Sequence, residues 1–207
     1  MRPVFARHYD QFMARMEKAW LHDARAALLD GLAGTVVELG AGTGRNLRHY
    51  PAAVERLVLT EPSPAMRDQL RARVAEAAPS FEVEIVDATA DRLPLNDDTA
   101  DAVVSTLVLC SVPALGPAVA EVRRVLKPGG ELRLIEHVAA ERPWAARIQR
   151  VLDPAWNWLE GSCHLDHETR AALAAGGFDV SSVDEAIEPG MPPLVHRIAR
   201  GRATLPA

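Results

Sequence analysis

The sequence of 207 residues predicts an α/β fold built on a seven-stranded sheet. The sheet is expected to be mostly parallel, with a C-terminal antiparallel hairpin and helices on both faces. Apolar segments of strand length alternate with segments of helical periodicity from residue 35 to residue 137. A glycine-rich loop follows the first strand, where open parallel sheets bind ligands. Two further strand segments, joined by a turn rich in proline and glycine, close the chain.

The elements are expected in the following order. Residues 4–30 carry apolar side chains at three- and four-residue steps, which predicts a helix that ends at Gly31 and Gly34. Five strands follow, at residues 35–39, 56–60, 81–86, 102–107 and 131–137. Helices separate them: a short one after the glycine loop that ends near Pro51, one at residues 63–77 with Ser63 as its N-cap, and one at residues 115–126.

The C-terminal part is expected to form two more helices and the closing hairpin. The helices are predicted at residues 143–159, with a break at Pro154, and at residues 167–175; the strands are predicted at residues 178–186 and 194–200. No segment has the composition of a linker, so residues 1–207 are predicted to form a single domain. Within it, residues 1–30 are an N-terminal helical lid and residues 138–170 a substrate-covering insertion.

Composition and charge exclude several classes of protein. The formal net charge is −5, which argues against a nucleic-acid partner because such a surface must neutralise phosphates. Residues 1–30 lack the apolar core of a signal peptide, and no apolar stretch reaches the roughly 18 residues of a membrane span. The two cysteines, Cys110 and Cys163, are far apart in sequence and predict no disulfide framework. We therefore expect a cytoplasmic protein with no integral membrane segment.

The glycine loop differs from a dinucleotide-binding loop. Gly40, Gly42 and Gly44 alternate with other residues, whereas the dinucleotide pattern has its third glycine where Arg45 stands here. A carboxylate before the loop, Glu38, would face a pyrophosphate unfavourably but suits a cationic amino-acid ligand. A second carboxylate, Glu61, follows the next strand at the spacing of an acid that accepts ribose hydroxyls. The combination favours an adenosyl ligand without phosphates, and the alternative is that both acids are exposed strand-end charges.

At these residues the chain resembles the class I S-adenosylmethionine-dependent methyltransferases. The resemblance runs from about residue 8 to residue 137, and its most specific part is the segment V-V-E-L-G-A-G-T-G that ends at Gly44. A narrower resemblance, to the methyltransferase-like 7 group of alkyl-thiol methyltransferases, rests on residues 105–112, 136–140 and 151–156. It implies methyl transfer to a thiol or another soft nucleophile. The animal members of that group carry an N-terminal membrane anchor, which is not found in this sequence.

The resemblance implies a cofactor site for S-adenosylmethionine. Glu38 and the backbone of the loop hold the methionine portion, Glu61 the ribose, and Asp87 the adenine amino group. The other residues implied are Tyr9, Gly40, Ala41, Gly42, Thr43, Gly44, Asn46, Pro62, Met66, Ala88, Thr106 and Leu107. Tyr9 closes over the site from the N-terminal helix, while Thr106 and Leu107 lie near the sulfonium.

The acceptor side of the site is less clearly marked in the sequence. His137 and Asp153 are the catalytic candidates, and His164 and Asp166 are further possible bases. The alternatives are that His137 packs beneath a covering helix and that Asp153 orients Pro154. The cluster from residue 164 to residue 167 is too tight for a metal site, so no metal is expected, and Asp166 is predicted to cap a helix. The tryptophans Trp144, Trp156 and Trp158 either line an apolar substrate pocket or pack on the sheet.

Other functions remain open at this point. A phospholipid-amine or quinone-type acceptor is an alternative, and the helix at residues 4–30 would then touch a membrane surface. A nicotinamide-dependent oxidoreductase and a non-catalytic adenosyl-binding protein are alternatives of other classes. The oligomeric state is not indicated.

Overall fold

The computed structural model describes residues 13–160, 163–188, 191 and 193–207. Tyr9 and the predicted start of the lid lie outside these residues. A π-helical turn, Glu17–Leu21, leads into helix α1, His22–Leu29. The remaining helices are α2 (Pro64–Ala77), α3 (Leu115–Val125), α4 (Pro143–Glu160) and α5 (Thr169–Ala175).

Seven strands form one sheet in the order β3-β2-β1-β4-β5-β7-β6. They are β1 (Gly34–Leu39), β2 (Val54–Thr60), β3 (Glu82–Val86), β4 (Ala100–Thr106), β5 (Leu126–His137), β6 (Asp179–Ile187) and β7 (Arg197–Thr204). Strands β1 to β5 are parallel, while β7 pairs antiparallel with both β5 and β6. The predicted fold class is confirmed. The strand order reverses between β1 and β4, and parallel sheets bind ligands at such a point, beyond the carboxyl ends of the strands.

Both faces of the sheet are covered by apolar side chains. On β1, Val36 packs in one buried cluster with Leu59 and Val104, whereas its neighbour Val37 packs in another cluster with Val103. Successive side chains of a strand point to opposite faces, so a strand that is apolar throughout is one covered on both sides. This burial fixes the position of β1 and therefore of the loop that follows it.

Two predicted helices differ in the structure. The helix expected after the glycine loop is only a 3-10 turn, Leu47–His49, because Tyr50 precedes a proline and adopts the extended conformation that this position favours. The break predicted at Pro154 is wrong, since α4 runs through it. A proline removes one N–H donor from a helix, and the turns on either side can still hold it together. Among the described residues, no helix combines the length and the apolar composition that crossing a bilayer requires.

Candidate active site

The glycine loop turns sharply at the carboxyl end of β1. Gly40, Gly42 and Gly44 have φ angles of 49°, 57° and 82°, which are costly for residues with a Cβ. A Cβ at Gly40 would lie 2.9 Å from the Val108 side chain, and one at Gly44 would lie 2.7 Å from Leu70 Cδ1. A Cβ at Gly42 would meet nothing closer than 3.9 Å. Gly40 and Gly44 are thus needed for packing, while Gly42 leaves open space in which a ligand can approach the backbone.

Glu38 is buried directly before this loop. Its Oε1 accepts a hydrogen bond from Asn46 Nδ2 at 3.0 Å, and its Oε2 accepts one from the Tyr50 hydroxyl at 2.7 Å. Burial raises the pKa of Glu38 to about 7, although these hydrogen bonds and the charge of Arg25 act in the opposite direction. The carboxyl group is therefore poised to change its charge when a cationic ligand approaches.

Arg25 connects the N-terminal helix to the same network. Its Nε donates to Glu17 Oε1 at 3.0 Å, and its Nη1 donates to Asn46 Oδ1 at 2.7 Å. Sequence reasoning missed Arg25, although the signal was available. Arg25 lies four residues from each of Leu21 and Leu29, both fully buried, so a charged side chain stands on the apolar stripe of a helix.

Glu61 lies at the carboxyl end of β2 and faces the loop. Its two carboxylate oxygens accept hydrogen bonds from the backbone N–H groups of Gly42, at 2.9 Å, and Ser63, at 2.8 Å. Burial raises the pKa of this carboxyl group, and the two N–H donors oppose that effect. Ser63 occupies the N-cap position of α2 as predicted, but its own side chain makes no capping hydrogen bond.

Arg67 joins the ends of β2 and β3. It donates to the Glu61 carbonyl oxygen at 2.7 Å and to Asp87 Oδ2 at 2.8 Å. The Asp87 side chain is 66% exposed, so it retains access to a ligand, whereas Met66 is fully buried and Pro62 is exposed. Asp87 is thus the accessible one of the predicted adenine contacts, but its carboxylate is already paired with Arg67. Arg67 is a buried residue that sequence reasoning missed.

The end of β4 approaches the loop from the other side. Thr106 Oγ1 accepts a hydrogen bond from Asn46 Nδ2 at 3.1 Å, so Asn46 joins Thr106 to Glu38. The next residue, Leu107, has a φ of 58°. A leucine in this left-handed region is strained, and such strain is often found at functional sites.

Glu136 shapes the segment that follows Leu107. This fully buried carboxylate accepts hydrogen bonds from Ser105 Oγ at 2.6 Å and from the N–H groups of Val108, at 3.0 Å, and Cys110, at 2.9 Å. Burial raises its pKa and these donors lower it. Sequence reasoning used Glu136 only as part of a family motif and did not identify this contact, which joins residues on two different strands.

His137 ends β5 beneath the covering segment and is 2% exposed. Its Nε2 lies 3.2 Å from the Leu194 carbonyl oxygen. A carbonyl can only accept, so Nε2 carries the proton, and in the neutral ring Nδ1 then offers its lone pair. Nδ1 lies 3.6 Å from the sulfur of Cys163. The predicted base is thus paired with a thiol that belongs to the covering segment.

Asp153 organises the segment after α4. Its carboxylate accepts from the Leu165 N–H at 2.6 Å and lies 3.2 Å from His164 Nδ1. Asp166 does not cap a helix, which corrects the prediction, because α5 begins at Thr169 with Glu168 as its N-cap. Asp166 instead lies 3.8 Å from Arg150 of α4.

The histidines His164 and His167 stack with their ring centroids 4.7 Å apart. Together with Asp166 they offer ligand atoms within 4.8 Å of one another. His164 is already bonded to Asp153, and His167 Nδ1 to the Leu109 carbonyl oxygen at 3.0 Å. The His167 contact holds the covering segment against Leu109, and the absence of a metal stays a prediction.

Two of the predicted pocket residues, Trp144 and Trp156, lie on α4. Trp144 is 62% exposed and does not line a closed pocket, whereas Trp156 is partly buried. The side chain of Trp158 lies outside the described residues. A groove of about 450 Å³ between α1 and the strands β5 to β7 lies on the face of the sheet, away from the loop.

Comparisons with known proteins agree with this geometry. Residues 37–134 match the family described as a methyltransferase domain. The chain is 40% identical over 146 residues to the human thiol S-methyltransferase TMT1A, covering 70% of this chain and 59% of that protein. It is 30% identical over 129 residues to a phosphatidylethanolamine N-methyltransferase of Cereibacter sphaeroides, covering 61% and 62%. The chain thus spans less than two thirds of the length of these relatives.

Solved structures show the same fold. An S-adenosylmethionine-dependent methyltransferase from Aquifex aeolicus superimposes with a TM-score of 0.67 at 17% identity, over 99% of each chain. The [4+2]-cyclase SpnF superimposes with a TM-score of 0.70 at 19% identity, over 90% of this chain and 80% of its own. Since a cyclase shares it, the fold does not by itself specify methyl transfer.

Proposed function

We propose that this chain, whose residues 37–134 match the methyltransferase domain family, transfers a methyl group from S-adenosylmethionine to a small thiol. The observation that carries the proposal is the pairing of a buried carboxylate, Glu38, with the open backbone at Gly42. The identity of the acceptor is supported by the relative named as a thiol S-methyltransferase.

The residues at the ends of β1 and β2 suit the donor. Glu38 would neutralise the ammonium group of the methionine portion, and Gly42 would let that portion lie against the backbone. Glu61 would exchange its hydrogen bonds to the N–H groups of Gly42 and Ser63 for bonds from the ribose hydroxyls. When bound, the cofactor supplies a methyl group already activated on a sulfonium.

The protein then has to hold the acceptor in line and help it lose a proton. Alignment of reacting groups can lower a barrier by about 7–11 kcal/mol. A thiol has a pKa near ~8.5, so a neighbouring base only has to favour its ionisation modestly. We assign this to His137, whose Nδ1 is the ring nitrogen that can accept a proton and which faces the Cys163 sulfur of the covering segment. Asp153 contributes by positioning residues 163–166, since it accepts from the Leu165 N–H.

The proposal is tested by supplying labelled S-adenosylmethionine with a panel of small alkyl thiols and detecting S-methylated product by mass spectrometry. Glu61→Ala is expected to weaken binding of S-adenosylhomocysteine by about 1–3 kcal/mol, the cost of losing buried hydrogen-bond partners. Glu84→Ala is the matched control, because Glu84 pairs with Arg56 at an exposed position. Tight cofactor binding without methylation of any thiol would contradict the proposed acceptor, and no cofactor binding would contradict the proposed site.

His137→Ala separates chemistry from binding. Turnover should fall while affinity for S-adenosylhomocysteine is kept, because His137 lies on β5 and makes its contacts with Leu194 and Cys163. Unchanged turnover across the pH range would remove His137 from the mechanism.

A phospholipid amine is the second candidate acceptor. It is supported by the similarity to a phosphatidylethanolamine N-methyltransferase. Helix α4 also exposes apolar side chains at Trp144, Ile148 and Val151, which could contact a lipid surface. Flotation with phosphatidylethanolamine vesicles, followed by a search for methylated headgroups, distinguishes the two acceptors. Methylation of the headgroup but not of thiols would favour the amine.

We further propose that residues 1–207 act as one domain in which residues 138–170 cover the acceptor. A cytoplasmic setting is proposed from the two unpaired cysteines, which a reducing compartment maintains.

A further inference from the structure

We propose that Cys163 and Cys110 form a redox-active dithiol that exchanges with small-molecule disulfides. In this pair Cys163 is the attacking thiol and Cys110 the resolving thiol. The inference does not depend on which acceptor the enzyme methylates.

The backbone brings the two cysteines together although they lie 53 positions apart in the sequence numbering. The His164 N–H donates to the Cys110 carbonyl oxygen at 2.7 Å. Cys163 immediately precedes this N–H, so the Cα atoms of Cys110 and Cys163 lie on either side of the hydrogen bond. A disulfide spans Cα atoms about 4.4–6.8 Å apart, so this pairing allows one to form. The two thiols are also close enough to shift each other's pKa.

The surroundings distinguish the two sulfurs. Cys163 Sγ lies 3.6 Å from Nδ1 of His137, the ring nitrogen that is free to take a proton. The neighbouring Cys110 thiol and His137 lower the pKa of Cys163, against the effect of burial. The neighbouring Cys163 thiol, together with burial, raises the pKa of Cys110.

The Trp156 indole supports the same assignment. Its N–H is buried and, among the described residues, has no hydrogen-bond acceptor within normal geometry. It nevertheless lies close enough to the Cys163 sulfur to lower the pKa of that thiol. A buried donor without a partner is costly, and an anionic sulfur would offer it an acceptor.

Solvent access also differs between the attacking and the resolving thiol. Cys110 is 2% exposed, whereas Cys163 is partly exposed on the covering segment. A disulfide from solution therefore meets Cys163 first. Cys110 needs no solvent access, because its reaction is with Cys163.

The exchange balances in two steps. The Cys163 thiolate attacks one sulfur of a disulfide RSSR, forming a mixed disulfide with Cys163 and releasing one RS⁻. Cys110 then loses its proton and attacks Cys163 Sγ, releasing the second RS⁻. The protein dithiol is oxidised to a disulfide and RSSR is reduced to two thiols. The two protons, one from each cysteine, end on the released thiols or on His137 and solvent.

The bond would join two parts of the proposed active site. Cys110 belongs to the segment that Glu136 holds after β4, while Cys163 belongs to residues 138–170. Oxidation would therefore fix the cover over the end of β4. When the disulfide that reacts is that of an acceptor thiol, the exchange releases the acceptor and leaves the enzyme with a Cys110–Cys163 disulfide. Methylation is therefore expected to slow as the pool of acceptor thiol becomes oxidised.

The experiment titrates the reduced full-length protein with oxidised glutathione and follows the intact mass. The wild type is expected to lose two hydrogen atoms and to carry no glutathione. Cys110→Ser should accumulate a glutathione adduct on Cys163, because no second thiol is present to resolve the mixed disulfide. Cys163→Ser should form neither the internal disulfide nor a glutathione adduct. Cys110→Ala and Cys163→Ala repeat the comparison, and circular dichroism checks that each variant is folded.

Alkylation by iodoacetamide at pH 6 and pH 8 gives an independent readout. An ordinary thiol slows about 100-fold over this range, since its thiolate fraction falls tenfold per pH unit. Cys163 is expected to slow only a few-fold, and Cys110→Ser should steepen this dependence. A stable glutathione adduct on the wild type, or equal adducts on both serine variants, would overturn the proposal.

Discussion

At the scale of single residues, the site depends on carboxyl groups whose charge is set by burial. Glu38 has its pKa raised to about 7, whereas a free glutamate ionises near 4.5. Its protonated form therefore favours the folded protein below pH 4.5, and that contribution is lost as the pH rises to 7. A bound ammonium group reverses the preference, since it favours the ionised carboxylate.

Affinity for S-adenosylhomocysteine is thus expected to depend on pH through Glu38. Below pH 7 the carboxyl group must lose its proton on binding, so the dissociation constant should rise by up to about tenfold per pH unit. Calorimetry at pH 6 and pH 7.5, in two buffers of different ionisation enthalpy, measures both the affinity and the proton released. Glu38→Gln should bind more weakly and lose most of this pH dependence. Equal proton release by the variant would assign the effect to another group.

The three loop glycines Gly40, Gly42 and Gly44 allow a sharper test, because among them only Gly42 borders open space. Gly42→Ala should weaken cofactor binding at least about tenfold, because the added Cβ would enter the space that the ligand occupies. Separately, an alanine in this left-handed conformation should lower the free energy of unfolding by ~1–2 kcal/mol. Gly40→Ala carries the same backbone cost and adds a contact of 2.9 Å with Val108, so it should lower the melting temperature further.

Gly116→Ala is the control for both variants. This glycine lies in α3, its added Cβ would meet nothing within 4 Å, and an alanine there should stabilise the helix. If Gly42→Ala bound the cofactor as tightly as Gly116→Ala, the methionine portion would not lie against Gly42.

At the scale of elements, α4 shows why a single residue is a weak predictor of a helix boundary. Its hydrophobic side chains recur on one face, and Pro154 stands on an exposed part of the helix. The helical periodicity of apolar side chains along α4 outweighs the tendency of Pro154 to interrupt the helix.

Pro154→Ala is therefore expected to stabilise the protein, by up to the ~3 kcal/mol that separates proline from alanine inside a helix. Ala155→Gly, at the neighbouring exposed position, should destabilise it by about 1 kcal/mol. Urea denaturation of both variants measures the two free energies of unfolding. If Pro154→Ala destabilised the protein, the native fold would depend on an end or a bend of the helix at this proline.

At the scale of the whole molecule, the site exists only because three parallel strands end side by side. Glu38 lies at the end of β1, Glu61 directly after β2 and Thr106 at the end of β4, and the order of the sheet places β1 between the other two strands. A ligand that bridges these ends should stabilise the entire domain.

Thermal unfolding tests that expectation and the rival oxidoreductase function together. S-adenosylhomocysteine at 100 times its dissociation constant should add about 2.7 kcal/mol to the free energy of unfolding. For a chain of this size that corresponds to a rise in melting temperature of several degrees. NAD should have no such effect, and stabilisation by NAD alone would contradict the methyltransferase assignment.

The sequence by itself determined the sheet, the glycine loop and the acids Glu38 and Glu61. These features are local: strand periodicity, a need for positive φ and a carboxylate at a strand end are each encoded within a few residues. The similarity to the methyltransferase domain family could be recognised from the same short segments.

Only the tertiary structure decided which groups surround those acids and which sulfurs meet. Arg25 reaches Asn46 across 21 positions, and Glu136 bonds to Cys110 across 26. Cys163 approaches Cys110 only because Asp153 and the backbone of His164 hold the covering segment over β4. Contacts between distant segments follow from how the layers pack, and no local pattern of residues records that packing.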